Sequence, residues 1–214
     1  MKKSNDEMTE VVVPLWLFQK KFGSQKRKTK MKKLVILFTL ILFIISCGEK
    51  VREEILERYD NGKKKDIIYF TGRNNNIKIV KQIFYYENGQ IEIKANFKDG
   101  KQDGKLTSYH ENGQIKNEGN FKDGIQNRQG KWTYYNEDGS IRKEEMYKNG
   151  KENGKWVEYH KNRQIKQEGN FKEGKEEGKW VEYHENGQKQ YEGTFKDGNL
   201  ISKKRWNEDG SVME

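Results

Sequence analysis

Polar and apolar residues alternate through most of the second half of this chain. In GKWVEYH, residues 154–160, the apolar positions Val157 and Tyr159 stand two apart. In QIKQEGNFK, residues 164–172, Ile165, Gly169 and Phe171 keep even spacing. Period-two spacing is the mark of a half-buried β-strand. ENG or EDG separates the two strands of a pair. A glycine loop such as KDGKQDGK (98–105) leads to the next pair. Asn-Gly and Asp-Gly between alternating strands specify hairpins, because glycine adopts the left-handed backbone that such turns need. The pattern predicts one hairpin after another.

The hairpins repeat. Residues 178–198, GKWVEYHENGQKQYEGTFKDG, restate residues 154–174, GKWVEYHKNRQIKQEGNFKEG. Aligned on the turn, the positions are Gly62, Gly89, Gly113, Gly139, Arg163, Gly187 and Gly210, spaced 27, 24, 26, 24, 24 and 23. The extra residues of the 26-spaced unit fall at Ile125–Gln129, in a loop. A fixed period of this length means a repeat array, whose outer units degenerate where they face water rather than a neighbour. We expect a degenerate N-terminal cap at 58–84 and repeats over 85–214, ending in a C-terminal half-repeat cap. Arg163 stands where the other turns have glycine, so that turn is expected to be strained.

Register can be argued from burial. With a two-residue turn, Tyr159 faces Lys166 and Trp156 faces Gly169. With a three-residue loop and a glycine bulge, Tyr159 faces Ile165 and Val157 faces Gln167. The second places Val157, Tyr159, Ile165, Gly169 and Phe171 on one face, and burial of one coherent face sets register, so we expect it. Trp132, Trp156 and Trp180 then line the opposite face. As an exposed ladder of indoles they form a candidate interaction surface. The alternative is that each indole shields a neighbouring glycine strand or a loop.

Upstream the pattern changes. Residues 1–30 show no useful period and read as an unstructured extension or a start-site artefact. Met31 begins a better-formed segment, MKKLVILFTLILFIISC, residues 31–47. Lys32 and Lys33 precede an apolar run from Leu34 to Ile45, interrupted by Thr39. That run is short for a membrane span, which needs about 20 residues, and fits the apolar core of a signal peptide. A short buried helix or an uncleaved anchor is the other reading. The end, Ile44-Ile45-Ser46-Cys47, resembles the lipobox of bacterial lipoproteins. The resemblance implies a signal peptide at 31–46 and removal of everything before Cys47. It also implies lipid attachment at Cys47, with Gly48 not favouring retention at an inner membrane. Residues 47–57 read as a charged linker with a helical turn through Val51, Ile55 and Leu56.

Composition narrows the chemistry. The chain carries 43 Lys and Arg against 33 Asp and Glu, a net charge of +10. Residues 1–46 hold 10 of the basic and 3 of the acidic residues, leaving the rest at +3. A nucleic-acid binder needs a basic stripe on the folded domain itself, so no nucleic-acid partner is expected. One cysteine provides no disulfide framework. GxxxGK at 150–155 and 174–179 is one residue short of a phosphate-binding loop and is followed by Trp, so it reads as a turn. His110, His160 and His184 share one repeat position; even His160 and His184, two strands apart, are too far apart to share a metal, and all three read as solvated strand-end residues. We therefore expect no catalytic residues, no cofactor, no metal and no small-molecule substrate.

YEGTFKDG (191–198) and ENGQIKNEGNFKDG (111–124) resemble MORN repeats, the second in the variant form found in bacteria. The resemblance runs over about 58–214. The unit at Met146-Tyr147 departs from it, lacking the Glu-Gly before its aromatic residue, and Ser202 replaces a loop glycine. The family implies an all-β fold, an elongated, twisted antiparallel β-meander of tandem ~24-residue hairpin repeats. It implies little chemistry. Bacterial relatives of the YwqK type often carry an antitoxin label. The expected function is a non-enzymatic envelope protein, anchored at an outer membrane or cell surface through acylated Cys47, whose sheet binds an unknown protein partner or a membrane surface. The alternative is an antitoxin-like inhibitor that neutralises a partner toxin.

Overall fold

The computed structural model describes residues 50–73 and 76–213. They form a single antiparallel sheet in which each strand pairs only with its neighbours in sequence. The strands are β1 (Arg52–Arg58), β2 (Lys64–Thr71), β3 (Lys78–Tyr85), β4 (Ile91–Lys98), β5 (Lys101–Tyr109), β6 (Ile115–Phe121) and β7 (Arg128–Tyr135). They continue as β8 (Ile141–Lys148), β9 (Lys151–Tyr159), β10 (Ile165–Lys172), β11 (Lys175–Tyr183), β12 (Lys189–Lys196) and β13 (Asn199–Arg205). The meander expected from the alternation is the observed fold. No helix among the described residues is long and apolar enough to cross a membrane.

One stretch differs from expectation. Together with Arg58, residues 52–57, expected in a linker with a helical turn, form β1. Its Ile55 pairs with Ile67 of β2, so the strand covers an edge rich in β-branched residues that would otherwise face water.

The turns close as expected and the register beyond them does not. The His160 amide donates to the Gln164 carbonyl at 2.8 Å, so a three-residue loop joins β9 to β10 and Tyr159 faces Ile165. Then Lys166 bulges out. Beyond it Glu158 faces Gln167, Val157 faces Glu168 and Trp156 faces Gly169. Val157 therefore does not face Gln167. The bulge moves Gly169 and Phe171 onto the tryptophan face and leaves Val157, Tyr159 and Ile165 on the other. Corresponding bulges fall at Glu92, Lys116, Arg142 and Gln190. A bulge adds a residue to one strand and re-aims the side chains beyond it.

A second irregularity sits on the following strand. Between the pairs Glu168–Val181 and Asn170–Glu177, the residues Gly178, Lys179 and Trp180 of β11 stand against Gly169 alone. Gly178 has φ of +73°, the left-handed backbone that lets the strand loop out there. Both faces consequently bury side chains, as the consecutive buried residues Trp180 and Val181 show. The main apolar cluster joins Ile93, Ala95, Leu106, Phe121, Trp132 and Tyr134.

Candidate interaction surface

The looped-out strand lays its indole on the glycine of the strand before it. A Cβ at Gly169 would come within 2.2 Å of the Trp180 ring, and one at Gly119 within 2.2 Å of the Trp132 ring. Trp180 Nε1 donates to the Asn170 carbonyl at 3.2 Å. Phe171 meets its ring edge-to-face with centroids 5.0 Å apart, and Phe121 meets Trp132 in the same way at 5.0 Å. Trp132 is 2% exposed and Trp180 3%. The exposed ladder is thus corrected at these two positions, and the shielding reading describes them. Full burial of an indole contributes at most about 4–6 kcal/mol from area alone, which explains why these side chains lie flat rather than facing water.

Trp156 differs. Its partner strand carries Glu145 where β6 and β10 carry glycine, so no glycine bed lies beneath it. The indole is half-buried and tilts toward Trp180, at 5.5 Å and 43°. Its Nε1 donates to Glu145 Oε1 at 3.3 Å.

Glu145 is the centre of a polar cluster that the repeat alone does not predict. Its carboxylate is 3% exposed and forms an ion pair with Lys143. The Tyr147 hydroxyl donates to it at 2.9 Å. Arg128 Nη1 donates to the hydroxyls of Tyr134 at 3.3 Å and Tyr147 at 3.1 Å, and the guanidinium lies over the Trp132 ring at 4.6 Å. Burial pushes the Glu145 carboxyl up, but Lys143 and the two tyrosine hydroxyls outweigh it and hold the group below the usual carboxylate range. Burial, then the Glu145 charge, push the Tyr134 and Tyr147 phenols up, so both remain protonated donors.

These five residues are departures from the repeat. Aligned on neighbouring units, Arg128 replaces Glu152 and Glu176, Tyr134 replaces Glu158, Lys143 replaces Gln167, Glu145 replaces Gly169, and Tyr147 replaces Phe171. The missing glycine at this unit was visible in the sequence. Its consequence was not, because Arg128 and Tyr134 come to the Glu145 cluster only once β7 and β8 are paired in this register.

The other conspicuous side chains close each unit or tie it to the next. Lys105, Lys131, Lys155 and Lys179 pair across their own hairpins with Glu118, Glu144, Glu168 and Glu192. His110, His160 and His184 are half-buried rather than solvated, each joined through Nε2 to a carbonyl of the next unit, on Tyr135, Tyr183 and Trp206. A carbonyl only accepts, so Nε2 carries the hydrogen. Beside them Asn88, Asn112, Asn162 and Asn186 donate to the carbonyls of Glu111, Glu137, Glu185 and Glu208. On the opposite edge the Gly150, Gly174 and Gly198 amides donate back to Arg128, Glu152 and Glu176. Among the described residues, no three His, Cys, Asp or Glu side chains converge as metal ligands would. Cys47 and the segment 31–46 lie outside the described residues.

A family model described as MORN repeat variant matches residues 80–99, 102–123, 128–149, 152–173 and 176–197, together about half the chain. The boundaries fall near the loops between hairpins. No curated protein matches the chain. A crystal structure of a protein with unknown function from Bacteroides fragilis aligns over 73% of this chain and 91% of that one, with 10% identity and a TM-score of 0.18.

Proposed function

The chain belongs to the MORN repeat variant family, and on that premise we propose that it is a non-enzymatic interaction platform held at an envelope membrane by a lipid on Cys47. The observation that carries this reading is how the side chains are used. The histidines and turn asparagines bond to the neighbouring unit, and the Lys–Glu pairs bond within their own hairpin. A half-exposed Trp156, bonded to the Glu145 that Tyr147 also reaches, is left on one face. Trp, Tyr and Arg are the residues that most often anchor protein interfaces. The membrane attachment rests on the sequence MKKLVILFTLILFIISC, and a lipid there would add to whatever the sheet itself binds.

The test is the mass and N-terminus of the full chain recovered from membranes of its own host, beside Cys47→Ala. A chain that begins at a lipid-modified Cys47, with the modification lost in the variant, is the expected result. An unmodified chain in the soluble fraction would overturn the anchor. It would leave an intracellular binder, such as an antitoxin-like inhibitor of a partner toxin, as the better reading.

A further inference from the structure

The Glu145 cluster interrupts what otherwise runs continuously along the array. On its N-terminal side Phe121, Trp132 and Tyr147 pack ring against ring and join the apolar cluster around Leu106. On its C-terminal side Trp156, Phe171, Trp180 and Phe195 form a second stack. The indole that would bridge the two is Trp156, and it leans toward the second stack, because Glu145 occupies the place where glycine would let it lie on β8. Between the stacks this face carries a hydrogen bond from Trp156 to Glu145, with Tyr147 facing Glu152 beside it, and no indole laid on glycine. An array of repeats behaves as a one-dimensional chain of units held by nearest-neighbour contacts, so a changed contact divides it into separately cooperative parts.

We propose that the cluster is a joint, at which strands β9–β13 open and close as a unit on β1–β8. Lys143, Glu145 and Tyr147 all stand on β8, so their ion pair and hydrogen bond lie on one side of the joint. What crosses it is the hydrogen bond from Trp156 to the Glu145 carboxylate, where other units lay an indole flat on a glycine strand. Lys143 and Tyr147 act by holding that carboxylate in place.

Native-state amide hydrogen exchange, read by mass spectrometry on the full chain, tests this. The amides of β9–β11 are expected to share one opening rate, faster than that of β4–β7. Glu145→Gln keeps the shape but removes the charge that Lys143 faces, and should speed exchange in β9–β11 by tenfold or more while leaving β4–β7 within twofold. Glu145→Gly combined with Lys143→Gln restores the residues of the neighbouring units, and should bring the two regions to a common rate. Equal rates in the native chain would overturn the joint. So would a Glu145→Gln variant that exchanges faster everywhere alike, or a double variant that keeps the boundary.

Discussion

Arg163 has φ of +70° at a turn position that is glycine in the other hairpins. A side chain in the left-handed region costs about 1–2 kcal/mol, partly offset because glycine has more freedom to lose on folding. Arg163→Gly should therefore stabilise the protein by about 0.5–1 kcal/mol, seen as a higher urea midpoint with an unchanged slope. Gly169 presents the opposite case. Its Cβ position is filled by the Trp180 ring, and Gly169→Ala should cost about 1–3 kcal/mol, in the range of an overpacked core. The displaced indole should shift tryptophan fluorescence to the red. A variant that melts like the native chain with an unshifted spectrum would show that the indole does not lie on that strand.

At the scale of the hairpin, the repeat, the turns and the strands were legible in the sequence. The register was half legible. Tyr159 facing Ile165 follows from the three-residue loop, and Trp156 facing Gly169 follows from the two-residue one. The structure satisfies both by bulging Lys166, and alternation alone cannot signal a bulge. The buried indoles had a sequence signal in the recurrence of Gly119 with Trp132 and Gly169 with Trp180. Its force appears only when the GKW loop of the following strand is seen to fold back. Glu145 breaks that pairing, and its titration is measurable. Lys143 and the two tyrosine hydroxyls hold its folded-state pKa below the usual carboxylate range. The group therefore contributes stability that is present above the unfolded pKa and is lost as pH falls through the folded one. Lys143, Arg128, Tyr134 and Tyr147 gather around it. Below about pH 4.5 the native chain should lose stability more steeply than Glu145→Gln does. Parallel curves for the two would mean that the carboxylate is not held ionised by the cluster.

At the scale of the molecule, each strand pairs only with its sequence neighbours. Neighbouring units are fastened by histidine and asparagine at the hairpin turns, and at the connecting loops a glycine amide closes each unit on its own first strand. An array fastened in this way has a length set by the number of units rather than by closure around a single core. A surface of this kind can be lengthened or shortened without rebuilding it, which suits a platform that presents side chains at a fixed spacing. The most direct measurement is urea unfolding of a chain lacking residues 175–198, one whole unit, so that β10 leads straight into the β13 sequence. This account predicts a folded, strand-rich protein with a single-unit loss, its unfolding slope lower by roughly one-seventh in proportion to the surface removed. A chain lacking only 175–186, half a unit, should lose far more stability, since the β12 sequence would then stand against β10 without the GKW segment whose indole covers Gly169. Unfolding of the whole-unit deletion, or equal tolerance of both deletions, would contradict the modular sheet.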